Sequence, residues 1–169
     1  MSYKEKKHKE IASQVNEPQA VYLTASQSGV SFLDMMLGGA KLSATAANEW
    51  DILKLTRNGL PKRLLMLLVK KISLTLQEVS DIMHISERTL QRYDDDTVVK
   101  TEYAEKAIEL ARLYDRGEDV FGSIDKFKIW IRTPSVIFKG ETPLSLLDTS
   151  VGFDMVFDEL GRIEHGIFA

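Results

Sequence analysis

The stretch from Thr75 to Tyr93, TLQEVSDIMHISERTLQRY, constrains this chain most, because its apolar residues form two short helical stripes three residues apart. Leu76, Val79, Ile82 and Met83 share the inner face of a first helix, Leu90 anchors a second, and Ile85 plugs the turn His84-Ile85-Ser86. Ser86 can cap the second helix, since its hydroxyl is able to accept an N–H left unpaired in the first turn. This is helix-turn-helix spacing. Glu87, Arg88, Thr89, Gln91 and Arg92 then lie early on the second helix, where such motifs reach base edges. Arg88 and Arg92 suit phosphate or guanine, and Gln91 suits adenine. A plain helical hairpin with a solvated charged face accounts for the same pattern, so the surrounding charge has to be weighed.

The net charge of −3 conceals a division along the chain. Lys54 to Tyr93 holds eight basic residues against three acidic ones, a net +5. Asp94 to Ala169 holds nine against sixteen, a net −7, and Met1 to Leu53 holds five against six. A basic middle joined to an acidic C-terminal part suggests two different partners. The local excess favours phosphate binding, whereas Glu87 and the run Asp94-Asp95-Asp96 oppose it unless those aspartates cap the next helix or face away.

The remaining pattern is helical throughout. Residues 1–30 are polar and read as a mobile arm. Ser31 to Leu37, about Thr45 to Arg57, and a segment opened by Leu60-Pro61 read as helices, the last burying Leu64, Leu65, Leu67, Leu68 and Ile72. Glu102 to Tyr114, Ile124 to Ile131, Ser145 to Leu147 and Phe153 to Gly161 complete the series, with Ser123 and Thr142-Pro143 as caps. No strand alternation stands out. Phe127, Trp130 and Ile131 form an i, i+3, i+4 stripe of core type. The expected organisation is an all-α chain: an arm over 1–30, a helical region over 31–117 containing the helix-turn-helix at about 75–93, and a small C-terminal domain over 118–169.

Several classes are disfavoured. The chain has no cysteine, which removes disulfides and thiolate chemistry and suits a reducing compartment. The apolar run Leu64 to Val69 is far short of the roughly 20 residues that span a membrane, and no signal-peptide core follows the basic start. A cytoplasmic home is expected. Glu164-His165 resembles an acid–base pair, but sequence neighbours rarely face one site. His8 and His84 form no metal set with it, and Gly38-Gly39 lacks a phosphate-loop pattern. The chain reads as a non-enzyme without metal or cofactor.

Two stretches carry a family resemblance. Gly59-Leu60-Pro61-Lys62-Arg63 and Ile85 to Arg92 in the middle, together with Trp130, Pro134, Thr142-Pro143-Leu144, Gly152 and Arg162-Ile163-Glu164-His165-Gly166, resemble the Xre-type antitoxins that pair with RES-domain toxins, a group related to MbcA and ParS. Ser135, Lys139 and Ser145 depart from the usual family residues. The resemblance implies a helix-turn-helix followed by a small helical toxin-binding domain, with Ser86, Arg88, Thr89, Gln91 and Arg92 on operator DNA. It also implies that Arg162, Glu164, His165, Ile167, Phe168 and Ala169 mask a toxin that consumes NAD or transfers ADP-ribose from it. The implied partners are a RES-domain toxin, operator DNA and a second copy of the chain, because two-fold operators call for two reading helices. Ile163, Ile167 and Phe168 can anchor in such a cleft, or they can seal the chain's own core. The alternative function is a stand-alone regulator whose C-terminal domain dimerises or senses a ligand.

Overall fold

The computed structural model describes residues 31–32 and 49–166, so the expected arm and most of the segment Ser31 to Leu37 lie outside the described residues. Seven α-helices are present among them: α1 (Glu49–Asn58), α2 (Lys62–Ile72), α3 (Leu76–Met83), α4 (Glu87–Arg92), α5 (Thr101–Phe121), α6 (Ile124–Ile131) and α7 (Ser150–Glu164), with a 3-10 turn over Pro143–Leu146. The fold is mostly helical, as the periodicity predicts. A two-stranded antiparallel pairing, absent from that reading, joins β1 (Leu60–Pro61) to β2 (Val98–Val99), with Leu60 opposite Val99. Two-residue strands are too short to alternate, and Leu60 and Val99 are buried there.

This pairing changes how α2 begins. Pro61 lies just outside the helix, and the amides of Lys62 and Arg63 donate to the carbonyls of Thr97 and Asp95, each at 2.9 Å. A helix start leaves such donors unpaired unless something accepts them. The acidic run therefore folds back onto the start of α2 and does not cap α5: Asp95 pairs with Lys62 at 3.7 Å and Asp96 pairs with Arg63. Within α2 the buried residues are Leu65, Leu68, Val69 and Ile72, while Leu67, expected inside, is 46% exposed.

The long helix α5 is the axis of the molecule, packing against α1, α2, α3, α6 and α7. Its small residues Ala104, Ala107 and Ala111 are fully buried and let neighbours approach closely. It runs seven residues past the expected stop at Tyr114, through Gly117, where a Cβ would meet the Phe127 ring at 2.3 Å. Tyr114 meets Phe127 edge-on at 5.0 Å, and Phe127 stacks with half-buried Trp130 at 5.7 Å, so the predicted stripe is core. Ser31 and Phe32 dock on the same helix, the Ser31 hydroxyl and the Phe32 amide each donating to Asp115 at 2.8 Å. At α6 the expected Ser123 cap makes no side-chain cap bond, whereas Thr142 accepts from the Ser145 amide as expected. Helix α7 is longer at both ends than Phe153 to Gly161, and Thr149 caps it.

Candidate nucleic-acid interface and terminal segment

The two helices of the central motif are fixed by their caps. Thr75 accepts from the Glu78 amide at 3.2 Å while the Glu78 carboxylate accepts from the Thr75 amide at 2.7 Å, a reciprocal capping box. Val79, Ile82, Met83 and Ile85 are buried behind α3, and Leu90 behind α4. Ser86 accepts from the Thr89 amide at 3.1 Å, and the two hydroxyls lie 2.8 Å apart. Ser86 and half-buried Thr89 thus spend their polar atoms largely on each other, at the start of α4.

Arg88, Gln91 and Arg92 are exposed on α4 and make no hydrogen bond or ion pair among the described residues. The positive charge counted along the sequence is less available elsewhere: Lys62 and Arg63 are held by Asp95 and Asp96, and the Lys71 ammonium lies 4.7 Å from the Phe32 ring centroid. Lys62 also donates to the Tyr93 carbonyl at the end of α4, so it supports the helix from behind.

The C-terminal half grips this motif. Arg132, just past α6, forks onto both oxygens of Glu78 and donates to the Ser73 carbonyl at 2.8 Å. Burial alone would raise the Glu78 carboxyl; the bonds from Arg132 and Thr75 outweigh it and hold the group below its ordinary range. Lys128 donates to the Lys71 carbonyl and the Ser73 hydroxyl, both at 3.1 Å. The His84 ring donates from Nε2 to the Asp148 carbonyl at 2.9 Å.

At the far end of α7, the helix buries Gly152, Phe153, Val156, Glu159 and Leu160. Beyond Leu160 the residues turn outward, with only Ile163 and Gly161 half-buried among those described. Arg162 pairs with buried Glu159 at 3.4 Å, Glu164 pairs with Arg116 of α5, and the His165 ring donates from Nδ1 to the Gly161 carbonyl at 2.8 Å. Ile167, Phe168 and Ala169 lie outside the described residues. Of the six residues expected to form a partner surface, Arg162, Glu164 and His165 are thus each bonded within the chain, to Glu159, Arg116 and Gly161. The i,i+3 spacing of Glu159 and Arg162 on one helix is a sequence signal for their pairing, which the reading of the terminal residues as a partner surface passed over; the burial of Glu159 has no such local mark.

Capped helices in this order, with a charged second helix and a further helical unit behind it, define a helix-turn-helix protein with an appended C-terminal domain. Family comparison narrows the class. Residues 51–112 match the antitoxin Xre-like helix-turn-helix domain, and residues 116–166 match the antitoxin Xre/MbcA/ParS C-terminal toxin-binding domain. The chain is similar to antitoxin Xre of Yersinia enterocolitica serotype O:8, 39% identical over 70 residues that cover 40% of this chain and 47% of that protein. The match therefore spans about half of that relative's length, 47%. It is also similar to antitoxin Xre of Pseudomonas putida KT2440, 28% identical over 121 residues, 71% of this chain and 75% of that one. The chain thus carries both domains of Xre-type antitoxins, the helix-turn-helix over 51–112 and the C-terminal domain over 116–166.

Proposed function

We propose that the protein is the antitoxin of a toxin–antitoxin pair, acting in the cytoplasm through two surfaces. Residues 162–169 mask the active site of a RES-domain toxin that consumes NAD or transfers ADP-ribose from it. Helix α4 binds operator DNA and represses the pair's own operon, with Arg88, Gln91 and Arg92 facing the groove and Ser86 and Thr89 holding the helix start. A homodimer brings two such helices to a two-fold site, and toxin joins it in a larger complex. The protein works by occupancy and not by catalysis.

The observation that carries this reading is the match of residues 116–166 to a toxin-binding domain in a chain whose last helix stops burying residues at Leu160. Residues 161–166 are exposed or half-buried, which supports a role for this segment in meeting a partner. Co-expression with the product of the adjacent reading frame tests it. Relief of that product's growth arrest by the full chain, and its loss when His165 to Ala169 are deleted from a chain that still folds, is the expected result. An adjacent product that is not NAD-consuming, or relief that survives the deletion, overturns it.

A further inference from the structure

Three non-glycine residues among those described adopt the left-handed backbone conformation: Ser73 at φ 61°, His84 at φ 53° and Lys139 at φ 56°. Side chains make this region unfavourable, and glycine is the default occupant. Ser73 and His84 bracket α3, one ending the helix before it and the other forming the turn into α4. They are also the residues that the C-terminal half holds. Ser73 receives Arg132 on its carbonyl at 2.8 Å and Lys128 on its hydroxyl at 3.1 Å. His84 reaches the Asp148 carbonyl at 2.9 Å, an oxygen that also accepts from Lys106 of α5 at 2.9 Å. Glycine at either place would satisfy the backbone but would carry no side chain to bond across to the C-terminal half. An unusual backbone kept in place by its surroundings is a reason to look for a role at those positions.

We infer that His84, Lys128 and Arg132 are positioning residues for the reading helix: the C-terminal half holds α3 at both ends, and α4 is presented in a frame set by α6 and by the loop before α7. The geometry of the connection is short. Asp148 precedes Thr149, the cap of α7, and His84 is two residues from Ser86, the cap of α4. A displacement of the loop at Asp148 therefore reaches the start of the reading helix through one side chain. The role in DNA affinity rests on the function proposed above, whereas the mechanical link does not.

The test uses the full chain and three variants, His84→Gly, Arg132→Gln and Arg132→Lys, with two readouts. One is amide hydrogen exchange. The other is retardation of a duplex taken from upstream of the protein's own gene. His84→Gly keeps the left-handed turn, which glycine adopts freely, and deletes only the tether, so its thermal midpoint should not fall. The expected result is exchange about tenfold faster at Leu90 to Arg92, with α1 unchanged, and binding of the duplex about tenfold weaker. Arg132→Lys, which keeps a cation and a donor, should recover part of both losses. Wild-type exchange in α4 of the His84→Gly chain overturns the inference, as does faster exchange spread evenly over all helices, α1 included. Should the wild-type chain fail to retard the duplex, the DNA-binding proposal falls, and the α4 exchange rates still decide the link: faster supports it and unchanged overturns it.

Discussion

Arg88 and Arg92 stand one turn apart on a six-residue helix and keep their guanidinium groups in solvent, while Lys62 and Arg63 are matched by aspartates. Charge that is already paired releases few counterions on meeting a phosphate, so on the DNA-binding role proposed above Arg88 and Arg92 should each contribute to the salt dependence more than Lys62 and Arg63 do. Replacing Arg88 or Arg92 with alanine should lower the slope of log affinity against log salt by about 1 each. Gel retardation across a salt series measures it, and an unchanged slope in both variants would remove α4 from the interface. A second residue invites a different measurement. The Tyr114 hydroxyl is fully buried with no hydrogen-bond partner among the described residues, and burial pushes its phenol well above the ordinary value. Losing an unpartnered buried hydroxyl removes a desolvation cost, so Tyr114→Phe should keep the protein's stability or raise it by up to about 1 kcal/mol in urea denaturation. A loss of that size would instead reveal a bound water at this hydroxyl.

Among the elements, those closed by their own neighbours were legible in the sequence. The Ser86 cap, the buried faces of α3 and α4, and the Thr142-Pro143 start of the 3-10 turn all depend on residues three or four apart. The elements that escaped reading depend on distant residues. The β1–β2 pairing joins positions nearly forty residues apart through two residues each, and the fold-back of Asp95 and Asp96 accompanies it. Helix α5 continues past a charged stretch because the Phe127 ring covers Gly117, and nothing local announces that contact. The candidate surfaces divide the same way: the exposure of Arg88 and Arg92 and the i,i+3 pairing of Arg162 with Glu159 follow helix phase, but the burial of Glu159 and the pairing of Glu164 with Arg116 of α5 depend on packing between distant elements. Gly152 makes the dependence on distant contacts testable. In α7 it lies so near the 3-10 turn that an added Cβ would stand 1.7 Å from the Leu146 carbonyl oxygen. Alanine is the better helix former by about 1 kcal/mol, yet this backbone contact cannot yield as a side chain would. Gly152→Ala should therefore destabilise the protein by about 1–3 kcal/mol in chemical denaturation. A neutral or stabilising result would mean that the turn and α7 are not held this closely.

Across the whole molecule, the central motif and the C-terminal half share α5 as a common wall, and the Arg132–Glu78 pair spans the seam between them. That pair gives the seam its own dependence on pH. Burial works to raise the Glu78 carboxyl, but the Arg132 and Thr75 bonds win and leave it below the ordinary value of 4.5. A carboxyl lowered on folding stabilises the folded chain fully above its unfolded value, and the contribution disappears as pH falls through the folded one. The wild-type chain should therefore exceed Glu78→Gln in stability near neutrality. The gap should stay constant down to about pH 4.5 and close below it, since a protonated Glu78 and a glutamine meet Arg132 alike. Urea midpoints of the two chains, measured side by side from pH 7 to pH 3, provide the check, and taking the difference cancels the other carboxyls. A gap of the same size at both ends would show that Glu78 acts through shape or its neutral hydrogen bonds. A gap that widens toward acid would reverse the sign and place the carboxyl above its ordinary value, with burial the stronger influence at this seam.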